Sequence, residues 1–191
     1  MYVIYYITYI MNELLIPQHI SIYGCYTSLC IFIGGICAGM CQFYIPSMLA
    51  ILLSITSYMN WKKVLLFGWI KFFDILLAST LILYISFVDS YRFYPTTRFV
   101  WITAVGTVFV VFVINETLLY YQVKKPIYVD DIPYSSYQYF STYYTAPGTP
   151  QREYAEYRST FTHIITIHIF LVGVCIYCMY HSHAIPISPI K

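Results

Sequence analysis

The sequence predicts an all-α membrane protein: a polytopic helical bundle of about five transmembrane helices, with four as the alternative, plus an interfacial N-terminal helix. Three observations predict it. Hydrophobic side chains make up 60% of the 191 residues and charged ones only 9%, where soluble domains carry about a quarter charged residues. The mean hydropathy is +0.67, so water is a poor solvent for most of this surface. The few charges are also clustered, leaving gaps the length of membrane spans. A fifth of the chain is aromatic, with 23 Tyr, 13 Phe and 3 Trp. This composition excludes a disordered chain, a collagen-like repeat and a small disulfide-stapled domain.

The charge gaps locate the spans, because a formal charge in hydrocarbon is costly and a crossing helix needs about 20 apolar residues. Between Glu13 and Lys62 lie 48 residues without Asp, Glu, Lys or Arg, a length for two helices and a tight turn. The first is expected over 20–40 and the second over 43–61, with Pro46 in its opening turn, where a missing N–H does least harm. A third span over 64–88 contains Lys71 and Asp74. A fourth over 99–123 follows Arg98, contains Glu116 and stops at Lys124–Lys125. The fifth, 161–180, carries only His163 and His168 as titratable nitrogen groups. The four-span alternative makes the second or third segment re-entrant.

Four regions flank or group these spans. Residues 1–19 form an interfacial segment, too short to cross because Asn12 and Glu13 interrupt it. It lacks the basic start and cleavage site of a signal peptide, and Tyr2, Tyr5, Tyr6 and Tyr9 suit headgroup depth. Residues 20–125 make a four-helix transmembrane region. Residues 126–160 are read as an extramembrane loop with a Tyr-rich run from Tyr134 to Tyr144 and turn residues at Pro147, Gly148, Thr149 and Pro150. A tail, 181–191, follows the fifth span. With five crossings, Lys62, Lys63, Lys124, Lys125, Arg152 and Arg158 share one side, and Arg92, Arg98 and Lys191 the other. The basic-residue bias therefore puts the N-terminus inside and the C-terminus outside.

Several residues are candidates for specific roles. Gly35-Ile-Cys-Ala-Gly39, with Gly34 beside it, has the four-residue glycine spacing that lets helix backbones approach closely in lipid. Lys71 and Asp74, three apart, share a helical face and can pair. Glu116 belongs to the same inner half, so Lys71, Asp74 and Glu116 are the candidate intramembrane charge cluster. Asn115-Glu-Thr117 is formally a glycosylation sequon but lies within a span. Cys175, Cys178 and His181 have ligand types suited to zinc or copper. His19 and His163 are the candidate pair for a bis-histidine haem. His163 and His168, spaced by five, point about 140° apart on an α-helix and are not expected to act on one ligand. The expectation is no catalytic residues, no metal and no cofactor, with haem or zinc as the alternatives and structural lipids bound.

The run Ile16-Pro-Gln-His-Ile-Ser-Ile-Tyr23 resembles the Pro-His-x-x-Ile-Tyr entry to the first membrane helix of the succinate dehydrogenase cytochrome subunit. The resemblance covers eight residues. The Ser and His-Arg positions of that family fall here among Thr27–Gly35, without His or Arg, and four spans follow where that family has two.

No phosphate-binding glycine loop, nucleophile elbow, zinc-protease helix or dinucleotide fingerprint occurs. No Lys/Arg-rich stretch suits nucleic acid, and no inverted repeat is visible. The reading is a non-catalytic integral-membrane subunit of a larger, energy-transducing, respiratory-type complex. Its partners are other membrane-protein subunits and phospholipids, with no nucleic acid. The mitochondrial inner membrane is the expected compartment. A stand-alone membrane scaffold or viral envelope protein is the alternative, and a small ion or proton transporter the third reading.

Overall fold

Five long helices of alternating direction carry the chain in a computed structural model, which describes residues 16–64, 68–123, 128–129, 132–133 and 149–182. They are α1 (Gln18–Met40), α2 (Tyr44–Lys62), α3 (Trp69–Phe87), α4 (Pro95–Val123) and α5 (Pro150–Ser182). A 3-10 turn, Asp89–Arg92, joins α3 to α4. Apart from a two-residue antiparallel pairing of Tyr128–Val129 with Ile132–Pro133, the described secondary structure is helical. The N-terminal segment expected at the interface and most of the Tyr-rich loop lie outside the described residues, as do Lys124, Lys125 and Lys191.

Local chemistry explains the helix ends. α1 stops at Met40 because Gln42 takes the left-handed conformation, φ 65°. That twist lets Phe43 N–H reach Ala38 O at 2.9 Å and Gln42 N–H reach Gly39 O at 3.0 Å, satisfying carbonyls that the helix end orphans. Pro46 sits in the first turn of α2 as expected. α4 starts at Pro95 rather than at 99, with proline again in an opening position. The larger difference is in α5. Residues 150–160, expected in a loop, are helical, because Thr149 caps the helix by accepting Arg152 N–H and Pro150 begins it. Thr149 and Pro150, read from the sequence as turn residues, are thus a helix start, and α5 carries a polar extension before its apolar part.

Four helices are long and apolar enough to cross a membrane: Gln18–Met40, Trp69–Arg92, Pro95–Gln122 and Pro150–Ser182. α2 falls outside this group, its apolar character diluted by Ser47, Ser54, Thr56, Ser57 and Asn60. It nevertheless runs antiparallel to α1 along its whole length. Gly39 faces Ser47 at one end of the pair and Gly24 faces Trp61 at the other. Any layer that contains α1 therefore contains α2.

Buried clusters lie at both ends of the bundle and in its middle, where Ile31, Ala50 and Leu53 pack together. At one end Phe43, Ile85, Phe93, Trp101, Cys178 and Met179 form a cluster drawn from all the connections there. Arg92 pins this end: its guanidinium lies 3.9 Å over the Phe43 ring and bonds Asp89 Oδ1 and Gln42 O. At the other end Ile16, Ile20, Cys25, Trp61 and Val64 pack together. Here α4 and α5 are joined by Leu119 against Ala155 and by Asn115 Nδ2, which donates to Ser159 O and Oγ. The nominal sequon asparagine is thus a buried interhelical tie. α3 is the peripheral helix. Only 11% of the apolar stretch of Trp69–Arg92 is buried in the protein, against 33% for Gln18–Met40.

Candidate functional site

The candidate site is built where α1, α2, α4 and α5 meet near the Ile16 end, and a change of helix type creates it. Ile164–Leu171 is π-helical, with one more residue per turn than an α-helix. In α geometry residues five apart diverge by about 140°. In the wider turn they come round to nearly the same face. The rings of His163 and His168 are accordingly 5.3 Å apart, edge to face. The expectation that these histidines diverge is overturned by this segment. Its sequence hint is the run of β-branched residues Ile164, Ile165, Thr166, Ile167 and Ile169, which crowd a regular α-helix.

Trp61 of α2 closes over the pair, with ring centroids 5.2 Å from His163 and 6.0 Å from His168. Phe112 of α4 approaches His163 at 6.5 Å. His168 is buried, and its Nδ1 lies 2.9 Å from Thr27 Oγ1 on α1. The threonine hydroxyl also reaches Tyr23 O at 3.0 Å and Gly24 O at 3.2 Å, so it can donate to a carbonyl while its oxygen accepts from a protonated Nδ1. The indole N–H of Trp61 is buried and finds no hydrogen-bond acceptor among the described residues. That is an unusual expense in a native interior. The indole fits because Gly24 leaves room: a Cβ there would stand 2.1 Å from Trp61 Cδ2.

Asp74 of α3 lies beside this cluster and turns toward α2. Asn60 Nδ2 donates to one carboxylate oxygen at 3.1 Å and Thr56 Oγ1 to the other at 3.3 Å. Lys71 lies one turn before Asp74 on the same helix. Glu116, in contrast, is on the exposed face of α4, next to the buried Asn115. Asp74 thus takes its two hydrogen bonds from α2. Rotation about the helix axis decides this, and a charge count along the chain cannot see it.

The other expected residues are placed as follows. Gly35 lies 3.0–3.3 Å, by its absent Cβ, from Ile51, Ser47 O and Ala50, and Gly39 faces Ser47. Gly34 instead faces Val172 of α5. The glycines thus admit two neighbours on two faces. His19 is exposed, 3.7 Å from Glu153 Oε1 and against the Tyr157 ring, so it does not face His163. The pair that does meet, His163 and His168, is at ring-contact distance and leaves no slot for a macrocycle between them. Cys178 Sγ points to Thr97 O at 3.2 Å, Cys175 Sγ lies 3.9 Å from Met179 Sδ, and His181 packs on Tyr177. Among the described residues no three His, Cys, Asp or Glu side chains gather to hold a metal ion.

Sequence reading missed Trp61, Thr27, Thr56, Asn60 and Gly24. Each is unremarkable alone, and only helix pairing brings it to a histidine or a carboxylate. The site offers two imidazoles, a carboxylate, an ammonium group and hydroxyls at membrane depth, groups suited to holding and passing protons. No family model, no curated protein and no solved structure matches the chain, so the eight-residue likeness at Ile16–Tyr23 stands alone.

Proposed function

We propose that the chain is a non-catalytic, five-pass integral-membrane subunit of a larger assembly of the energy-transducing, respiratory type. In this reading it sits in the mitochondrial inner membrane with its N-terminus inside. Its work is helix packing, lipid contact and assembly of its neighbours. The observation that carries the reading is the state of α3. This helix brings Lys71 and Asp74 into the membrane, packs mainly on α2, and leaves most of its apolar length uncovered. Trp69, Phe72, Phe73, Ile75 and Leu76 are all exposed. In lipid, helix faces associate by close packing rather than by hydrophobic driving force. A polar-bearing helix with one main neighbour suits a seam that another subunit completes.

Extraction in a mild detergent followed by native-size separation tests this. The expected result is co-migration with a complex several times the 22.4 kDa chain mass. A monodisperse single chain overturns the proposal, and a homo-oligomer moves the reading to a stand-alone scaffold.

A second reading, a small proton carrier, is favoured by the His163–His168–Trp61 cluster and the Asp74 carboxylate beside it. Protein reconstituted in vesicles with an entrapped pH dye is then expected to relax an imposed pH gradient. The variants His168→Leu and Asp74→Asn slow that relaxation at least tenfold. Relaxation no faster than in protein-free vesicles removes this reading.

A further inference from the structure

A narrow crevice opens inside the membrane layer between α3 and α5, beneath α1 and α2. It has a free volume of about 70 Å³, roughly half that of the Leu/Ile/Phe-lined cavity of ~150 Å³ that takes up benzene. Its walls include Ile31, Ala50, Ala78, Ile85, Trp101 and Leu171, and no charged or hydroxyl side chain lines it. A free volume of this size admits a few methylenes of an aliphatic chain rather than a ring. The crevice lies where α3 packs on α2 and meets α4 through the buried Trp101, whose Nε1 donates to Ser86 Oγ at 3.1 Å.

The end of the crevice identifies the rest of the occupant. Ile85 and Trp101 belong to the same buried cluster as Phe43, and the Arg92 guanidinium lies directly over the Phe43 ring. Arg98 follows, held 4.4 Å over the Tyr91 ring. Asp89, buried and bonded to Arg92, offsets one of the two positive charges. The described residues of this end thus keep one net positive charge, flanked by the exposed Tyr91 and Tyr94. A cation with aromatic neighbours at the membrane surface suits a phosphate group.

We propose that this crevice is a specific phospholipid site, taking part of one acyl chain between α3 and α5 with an anionic headgroup at Arg92 and Arg98. The site requires the bundle to lie in a membrane but no protein partner, so it stands or falls separately from the subunit reading.

Native mass spectrometry of the full chain, purified with added vesicle lipid of equal phosphatidylglycerol and phosphatidylcholine content, tests it. The expected spectrum shows one retained phospholipid per chain, the anionic lipid favoured at least fivefold. Ala78→Trp, which fills the crevice, loses the bound lipid, while Ala78→Ser keeps it. Arg98→Gln keeps a lipid but loses the anionic preference. Retention by a folded Ala78→Trp protein equal to the wild type overturns the site. If that variant does not fold, the wild-type spectrum decides alone: no bound lipid, or a broad distribution of lipid numbers, overturns it.

Discussion

Arg152→Ala is expected to be the most damaging single substitution outside the apolar interior, lowering stability by about 3–5 kcal/mol. Arg152 Nε donates to Glu156 Oε1 at 2.6 Å, and the two side chains are only 12% and 8% exposed. Truncating the arginine leaves a carboxylate packed against the α4–α5 junction without this partner. The loss arises from the stranded charge more than from the missing attraction. The double variant Arg152→Ala/Glu156→Gln is therefore expected to recover much of the loss, since it removes the charge as well. Thermal unfolding in detergent micelles, followed by circular dichroism, measures both. Equal midpoints for the single and double variants would show that the pair is too well solvated to matter.

Gly24→Ala is the second large effect, although it adds one methyl group. That methyl would stand 2.1 Å from Trp61 Cδ2 and 2.5 Å from Cε3 and Cγ, well inside contact distance. The indole has to move, and it is wedged between α1 and the two histidines of α5. Overpacking of this kind costs about 1–3 kcal/mol. Disturbing the indole also disturbs the His163–His168 contact, so the effect should exceed that of Gly173→Ala, where a Cβ meets nothing within 4 Å. Pairing Gly24→Ala with Trp61→Leu should restore part of the stability, because neighbouring substitutions that share one space are not additive. The same thermal unfolding in micelles reads all three variants. A Gly24→Ala midpoint matching that of Gly173→Ala would show that the indole has somewhere else to go.

These two sites differ in how visible they are along the chain. Arg152 and Glu156 are four apart, and their pairing follows from helix periodicity once residues 150–163 are known to be helical. The signal was the cap, Thr149-Pro150, which reads equally well as a turn. Gly24 carries no such signal, because nothing in its neighbourhood names Trp61 as its partner. The glycines at 34, 35 and 39 were legible as packing positions from their spacing. Which helix each one admits was not: Gly35 and Gly39 take α2, and Gly34 takes α5.

The solvent, and the segments that meet it, are written in the order of residues along the chain. Partition into hydrocarbon is local and nearly additive, so 48 residues without a formal charge suffice to announce two apolar helices before any contact is known. Which polar groups meet within that layer is a matter of helix packing. Asp74 found Asn60 and Thr56 across a helix pair rather than Glu116. His163 found His168 because one segment of α5 winds with an extra residue per turn. Both outcomes depend on the rotation of a helix about its own axis. That angle is set by close packing against neighbours, and composition along the chain carries almost no record of it.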